Sequence, residues 1–491
     1  MPCRQRPAGG FVAVVTKQIE AGRALADIYP ARFCTLCRKE DAMSKQRIQL
    51  SDHFTYPRLL RFVLPCIGTM LFTSIYGIVD GLCVSNFVGK TAFAAVNLIM
   101  PLPMLLGTIG FMLGTGGSAI VGITLGEGDQ KKADRYFTLF LLAALVSVSV
   151  LAVLGIVFLR PIAVLLGAKG ELLDYAVRYG RILMVSLPTF ALQNMFQSFF
   201  VTAEKPHLGF AFTVAAGGTN MVLDVLLVGM LHGGVAGAAI ATFISQAVGG
   251  VLPLLYFLSR RSTSSIHLGR TQWNGGVIRS ACINGSSELM TNLSMSLVNI
   301  LYNYHLLRFA GENGVAAYGV IMYAACLFVA VFVGYAVGSA PIVSYHYGAR
   351  NHAELNNLYS KSLRLIGVVA VLMTALSMVL IPYVARIFVG YDAELLALTS
   401  HAFRVYALNF FLMGFNVYGS SFFTALGDGV TSALIYFLRT LLFQLAALLL
   451  LPALWGLDGV WLAVTAAELA ALAVSVYVFV TKDQNFHYRH A

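Results

Sequence analysis

The chain has 491 residues, 58% of them hydrophobic and 11% charged, with a formal net charge of +11 and a mean hydropathy of +0.77. Soluble domains carry roughly 25% charged residues, so an ordinary soluble enzyme or binding module is excluded. The basic excess does not indicate nucleic acid, because Lys and Arg sit in short loops between apolar runs, where orientation signals of membrane proteins belong.

Residues 1–50 are polar and basic, with one short apolar run, Phe11 to Val15, too short for a signal-peptide core. Met43 reads as an ordinary protein start, so residues 1–42 are expected to be disordered or to derive from an upstream start codon. Cys34-x-x-Cys37 lacks the second ligand pair that a structural zinc site needs. The other cysteines (3, 66, 83, 282 and 326) form no disulfide framework.

Twelve apolar spans follow, at about 59–84, 92–120, 136–159, 174–203, 208–230, 235–258, 278–308, 315–346, 359–382, 395–426, 430–452 and 457–480. Each is long enough to cross a bilayer. Gly and Pro mark many connections, among them Gly126-Glu-Gly128-Asp129, Lys205-Pro206, Gly233-Gly234 and Gly427-Asp428-Gly429. The longest connection, 259–277, divides the spans into a first half, 51–258, and a second half, 278–482. Even-numbered loops hold most of the base, including Lys131, Lys132, Arg135, Lys205, Arg260, Arg261, Arg270, Arg350 and Lys361. The positive-inside rule therefore predicts that both termini, the linker and the 483–491 tail are cytoplasmic. A single offset of 222 residues superposes the halves, pairing Gly116 with Gly338, Gly126 with Gly348, Asn194 with Asn416 and Gly234 with Gly456. Six spans per half predict an all-α polytopic fold of two lobes, related by a pseudo-twofold axis along the membrane normal, with a cavity between them.

The charges depart from this repeat. Asp80 and Asp224 pair with Tyr302 and Ala446; Glu288, Arg439 and Glu468 pair with Cys66, Gly217 and Gln246. An intramembrane carboxylate costs about 2.5–3.5 kcal/mol on the lenient insertion scale and marks a functional path by default. Asn220 and Asp224 are four apart and share a helix face. Asp80 and Asp224 each lie 19 residues past a basic-side Arg61 or Lys205, roughly 28 Å along their helices. Thr242 descends to a similar layer. Asp80, Asn220, Asp224 and Thr242 thus form a hard oxygen set suited to H⁺ or Na⁺, with a polar helix–helix contact as the alternative. Glu288 and Arg439 lie at one depth nearer the basic side, where an ion pair or a second coupling site is expected; Glu468 is nearer mid-depth. Gln193, Asn194, Gln197 and Met184, with Asn416 and Tyr418, are candidates for the lining of a drug cavity. No P-loop, His-Glu-x-x-His or Gly-x-Ser-x-Gly motif is present, and neither an enzymatic activity nor a cofactor is expected.

Several stretches together carry a family resemblance: Val79-Asp80-Gly81 with Gly89 and Ala94-Ala95, Gly126-Glu-Gly128-Asp129, Thr202-Ala203-Glu204-Lys205-Pro206, Asn220-x3-Asp224, Gly237-Ala-Ala-Ile-Ala-Thr242 and Gly456-Leu-Asp458-Gly459-Val460-Trp461. Over about residues 55–482 the chain resembles a multidrug and toxic compound extrusion (MATE) transporter of the bacterial MepA-like and DinF-like branch. The resemblance implies a V-shaped, twelve-helix plasma-membrane antiporter that expels cationic, apolar drugs against H⁺ or Na⁺. It also implies a cation site at Asp80, Asn220, Asp224 and Thr242. In some relatives a span-7 acid resembling Glu288 couples instead; the further span-10 acid has no clear match here. The protein is expected to be a monomer in the bilayer. A lipid-linked precursor flippase would want a cationic cavity, for which Arg439, Arg178 and Arg181 are the only hints; a membrane-embedded enzyme would need a metal or nucleophile cluster.

Overall fold

The computed structural model describes residues 48–87, 90–259 and 263–488. The expectations placed on residues 1–47, including Cys34 and Cys37, and on Gly89, Arg260 and Arg261 lie outside them. The described residues are mostly helical, apart from connections such as 263–274, and contain no strand. Spans 1 to 6 are Tyr56–Phe87, Lys90–Ile99 continued by Pro101–Gly126, Gln130–Leu165, Glu171–Thr202, Pro206–Asp224 continued by Val225–Met230, and Gly234–Leu258. Spans 7 and 8 are Gly275–Asn284 and Ser286–Gly348, the latter broken at Gly311. Span 9 is His352–Val389, and span 10 joins Ala393–Ala407 to Phe410–Ala425 across a 45° bend. Spans 11 and 12 run from Gly429 to Thr481, broken at Gly456.

The two longest apolar helices, Leu297–Gly348 and Gly429–Thr481, hold 52 and 53 residues. At 1.5 Å per residue each is about 78 Å of helix, more than twice a bilayer core of about 30 Å. Each therefore makes two passes and reverses at its glycine. Gly311 (φ 60°, ψ −146°) and Gly456 (φ 57°, ψ −130°) adopt a backbone conformation that a Cβ opposes.

The repeat is visible in the turns. Gly128 and Arg350 are both left-handed (φ 83° and 55°), as are Gly234 and Gly456 (φ 56° and 57°). One correction applies at the end of spans 4 and 10, where Glu204 (φ 60°) corresponds to Gly427 (φ 81°), an offset of 223. The difference is confined to this turn, since Gly234 and Gly456 lie again at an offset of 222. Residues 483–488 pack back on the fold. Tyr488 is fully buried, donates to the Phe479 carbonyl at 2.7 Å and packs on Tyr359 and Phe422.

The halves close on the side of the 126–129 and 349–351 turns, the side that carries most of the basic loop residues. A Cβ on Gly126 would meet the Tyr345 carbonyl oxygen at 2.0 Å, and one on Gly348 would meet that of Ile123 at 2.0 Å. A strap preceding span 1 crosses the same seam. Leu50 N–H donates to Glu204 at 2.7 Å in the first half. His53 Nδ1 and Phe54 N–H reach the buried Glu354 carboxylate of span 9 at 2.6 and 2.8 Å. Lys361 Nζ and Asn357 Nδ2 bond the Phe54 carbonyl at 2.7 and 3.1 Å. Gly348→Ala is expected to force this contact apart, since backbone cannot yield by rotamer change. Alkylation of Cys66, buried beside Gly338 across the seam, should rise several-fold when followed by mass spectrometry. An unchanged rate would contradict the closure.

Candidate cation site and inter-half cavity

Span 1 delivers Asp80 and span 5 delivers Asp224. The two carboxyl groups lie within hydrogen-bonding and electrostatic reach of each other. Asp224 is fully buried and Asn220, one turn earlier, nearly so. Both oxygens of Asp224 and Oδ1 of Asp80 accept no hydrogen bond from the protein. Buried acceptors left without donors are costly, and two adjacent carboxylates raise that cost unless a proton or cation joins them. Two carboxyl groups so placed can share a proton or a cation. Thr242 of span 6 donates to the Ala238 carbonyl at 3.0 Å and lies beside the Tyr179 hydroxyl. The structure therefore brings Asp80, Asp224 and Thr242 to one layer, with Asn220 buried on the same face as Asp224.

Tyr179 was not anticipated. It is buried on span 4, in electrostatic reach of both Asp80 and Asp224, with Met100 Sδ 3.8 Å from its hydroxyl. A tyrosine in an apolar span reads as packing; only its depth, matching that of Asp80, was available as a signal. Tyr76, one turn before Asp80, faces the same charge. A π-helical turn, Val225–Met230, begins immediately after Asp224; such turns recur at functional sites and carry no sequence signature. In the second half, the position equivalent to Asp80 holds Tyr302, stacked on Tyr318 at 4.9 Å. The acid pair belongs to one half only.

The expected pairing of Glu288 with Arg439 is corrected. Arg439 Nε donates to Glu468 Oε1 at 2.8 Å, with both side chains buried. Asn416 Nδ2 donates to Glu468 Oε2 at 2.7 Å and to its carbonyl at 2.9 Å, and Ser475 Oγ donates to Asn416 Oδ1 at 3.0 Å. Arg439 lies in a second π-helical turn, Leu438–Leu442, a local winding that a count of residues does not reveal. Glu288 instead lines a cavity of about 50 Å³ between the halves, together with Ser118 and Ser198 from the first half and Tyr436, Ser421 and Thr424 from the second.

The candidate drug-lining residues divide. Gln197 lines a narrow pocket with Cys66, Thr69 and Met70. Met184 packs inside the first half on Val148, Leu187 and Ala191. Asn416 is spent on Glu468, and Tyr418 is buried against Tyr335 and Phe422. Gln193 and Asn194 are buried on span 4, where Gln193 packs against Gly249 of span 6. None of these six lines the Glu288 cavity. Among the described residues no cluster of His, Cys, Asp and Glu is arranged to hold a metal ion.

Comparison with known proteins bears on this arrangement. The MatE family profile matches residues 65–226 and 289–448, one match per half. The chain is 22% identical over 434 residues to the multidrug export protein MepA of Staphylococcus haemolyticus, covering 88% of this chain and 95% of that one. It is also 22% identical to MepA of Staphylococcus aureus strain MSSA476, over 87% of this chain and 94% of the relative. Its fold matches a MATE transporter solved in complex with MaL6 (TM-score 0.83, 23% identity, 87% of this chain and 96% of that chain). It also matches a MOP superfamily transporter from Pyrococcus furiosus (TM-score 0.81, 23% identity, 87% and 96%). Twelve apolar passes, an acid pair confined to one half and a profile matching both halves agree: this chain is a multi-pass membrane protein of the MatE family, the multidrug and toxic compound extrusion transporters.

Proposed function

We propose that the protein is a secondary active exporter of cationic, amphipathic drugs, driven by antiport of a cation through Asp80 and Asp224. The carrying observation is the buried, donor-poor contact between these two carboxyl groups. H⁺ is the preferred ion, because a carboxyl–carboxylate pair holds one proton between its members. Na⁺ is the second reading, favoured by the oxygens of Asn220, Thr242 and Tyr179 around the pair. Closure of the halves on the basic side, cytoplasmic by the distribution of Lys and Arg, corresponds to an outward-facing state in the plasma membrane. A cation entering from outside stabilises tight packing of spans 1, 5 and 6 and expels the drug. Its loss to the cytoplasm restores negative charge and favours the next cationic substrate. Ion and drug then bias one two-state element in opposite directions, as coupling requires.

Glu288 is the carboxylate that a drug meets at the inter-half cavity. At about 50 Å³ that cavity is far below the 300–1,000 Å³ of ligand pockets, so the halves must part to admit a substrate. Purified protein in weakly buffered detergent should release protons on addition of ethidium. Release insensitive to ethidium but sensitive to Na⁺ would move the reading to sodium.

A further inference from the structure

Span 9 opens with Asn351-x-x-Glu354, the pattern of a capping box, in which the glutamate reaches back to the backbone N–H of the cap residue. Asn351 keeps its side of the motif, since its Oδ1 accepts from the Glu354 N–H at 3.1 Å. Its own N–H bonds the His346 carbonyl at 2.9 Å instead, and the Glu354 carboxylate is turned to the strap. That carboxylate is buried, and its donors are His53 Nδ1, Phe54 N–H and Asn357 Nδ2, the last at 2.7 Å. Two of the three come from the strap. Phe54 is fully buried, edge-on to Phe62 of span 1 and to His346 of span 8. At the offset of the repeat, Glu354, Asn357 and Lys361 correspond to Lys132, Arg135 and Leu139, so the scaffold does not demand this set.

The connection into span 7 is a counterpart. His267 N–H donates to Asp134 Oδ1 of span 3 at 2.8 Å, Gly269 N–H to Thr138 Oγ1 at 3.0 Å, and Thr271 Oγ1 to the Arg135 carbonyl at 2.9 Å. Each half is thus entered through an arm fastened to the third span of the other half. We propose that these arms are latches of the basic-side seam and that Glu354 is the keeper of the first: while it holds residues 53 and 54 the seam stays shut, and their release opens the cavity to that side. The inference rests on the export reading, in which the halves part there to admit a substrate. In the closed state the strap supplies the donors that a buried carboxylate needs. In an open state water replaces them, so the carboxylate is satisfied in both states and neither is barred. The strap is also continuous with span 1, which starts at Tyr56 and carries Asp80.

The test is the rate at which N-ethylmaleimide alkylates Cys66, buried at the seam, in the purified full-length protein, resolved by mass spectrometry. Glu354→Gln keeps the size of the side chain but cannot accept from all three donors. It should raise the Cys66 rate at least about tenfold, the scale of a hydrogen bond to a charged group. Asn357→Ala/Lys361→Ala frees the Phe54 carbonyl and should raise it as well. A thiol introduced by Met184→Cys, inside the first half, should stay protected in the same proteins, which separates opening of the seam from loss of the fold. If Glu354→Gln fails to reach the membrane, His53→Ala carries the test, because it alters an exposed side chain and should raise the Cys66 rate about fivefold. Labelling at Met184→Cys that rises in step with Cys66 would show a merely structural glutamate and overturn the inference. So would a Cys66 rate that no variant changes. Ethidium without effect on Cys66 in wild-type protein would instead count against the export reading, while the difference between variants would still decide the latch.

Discussion

Asp224→Asn is expected to leave the protein folded in the membrane and to reduce gradient-driven drug efflux to background. The amide keeps the size of the side chain but neither carries the charge nor takes up a proton. The remaining Asp80 then has no partner with which to hold a cation, and the two-state element loses the input that biases it. Asp80→Asn should behave alike for the same reason. Asn220→Ala and Thr242→Ala remove a ligand and not a charge, so each should weaken efflux by roughly fivefold, the equivalent of one hydrogen bond of about 1 kcal/mol. Tyr179→Phe belongs with them, since it removes one hydroxyl beside the acid pair. Expression and thermal stability of the Asp224→Asn protein should match wild type or exceed it, because the change removes a buried charge and turns one of two acceptors that lack donors into an amide that can donate to Asp80. A stable, fully active Asp224→Asn exporter would exclude this site from coupling.

The second large effect is on stability. Arg439→Gln strands the Glu468 carboxylate at a buried site with Asn416 as its remaining side-chain donor. Breaking one partner of such a pair costs about 3–5 kcal/mol, whereas replacing both is often close to neutral. Arg439→Gln/Glu468→Gln should therefore melt nearer to wild type than Arg439→Gln alone, when followed by temperature-ramped size exclusion in detergent. Additive losses would show that the two side chains do not depend on each other. The cycle also separates the partners of Arg439. Glu288→Gln should show little stability coupling to Arg439→Gln, because in the wild type the guanidinium is bonded to Glu468 and not to Glu288.

The course of these residues through the sequence explains what could be read from it. Twelve passes were legible because each apolar run meets a fixed bilayer thickness, and Gly311 and Gly456 mark reversals inside continuous apolar stretches. The acid layer was legible because helical rise converts distance along the chain into depth, which put Asp80 and Asp224 together from different spans. Rotation about the helix axis is not encoded by counting. Depth along the helices favoured Glu288 as the partner of Arg439 over Glu468, which lies nearer mid-depth, and the structure pairs Arg439 with Glu468. Asn416, read as cavity lining from its polarity, is instead the clamp on Glu468, since a buried amide satisfies itself on whatever carboxylate its helix face meets. The bend at the middle of span 10 likewise left no clear signal.

Transport of ethidium in everted membrane vesicles, with a pH gradient and a Na⁺ gradient imposed separately, tests the coupling mechanism most directly. An inside-acid gradient should drive ethidium uptake in wild-type vesicles, collapse with a protonophore, and be absent in vesicles carrying Asp80→Asn or Asp224→Asn. Wild-type uptake in both of those variants, with loss in Glu288→Gln, would contradict coupling through the first half and place it in the second.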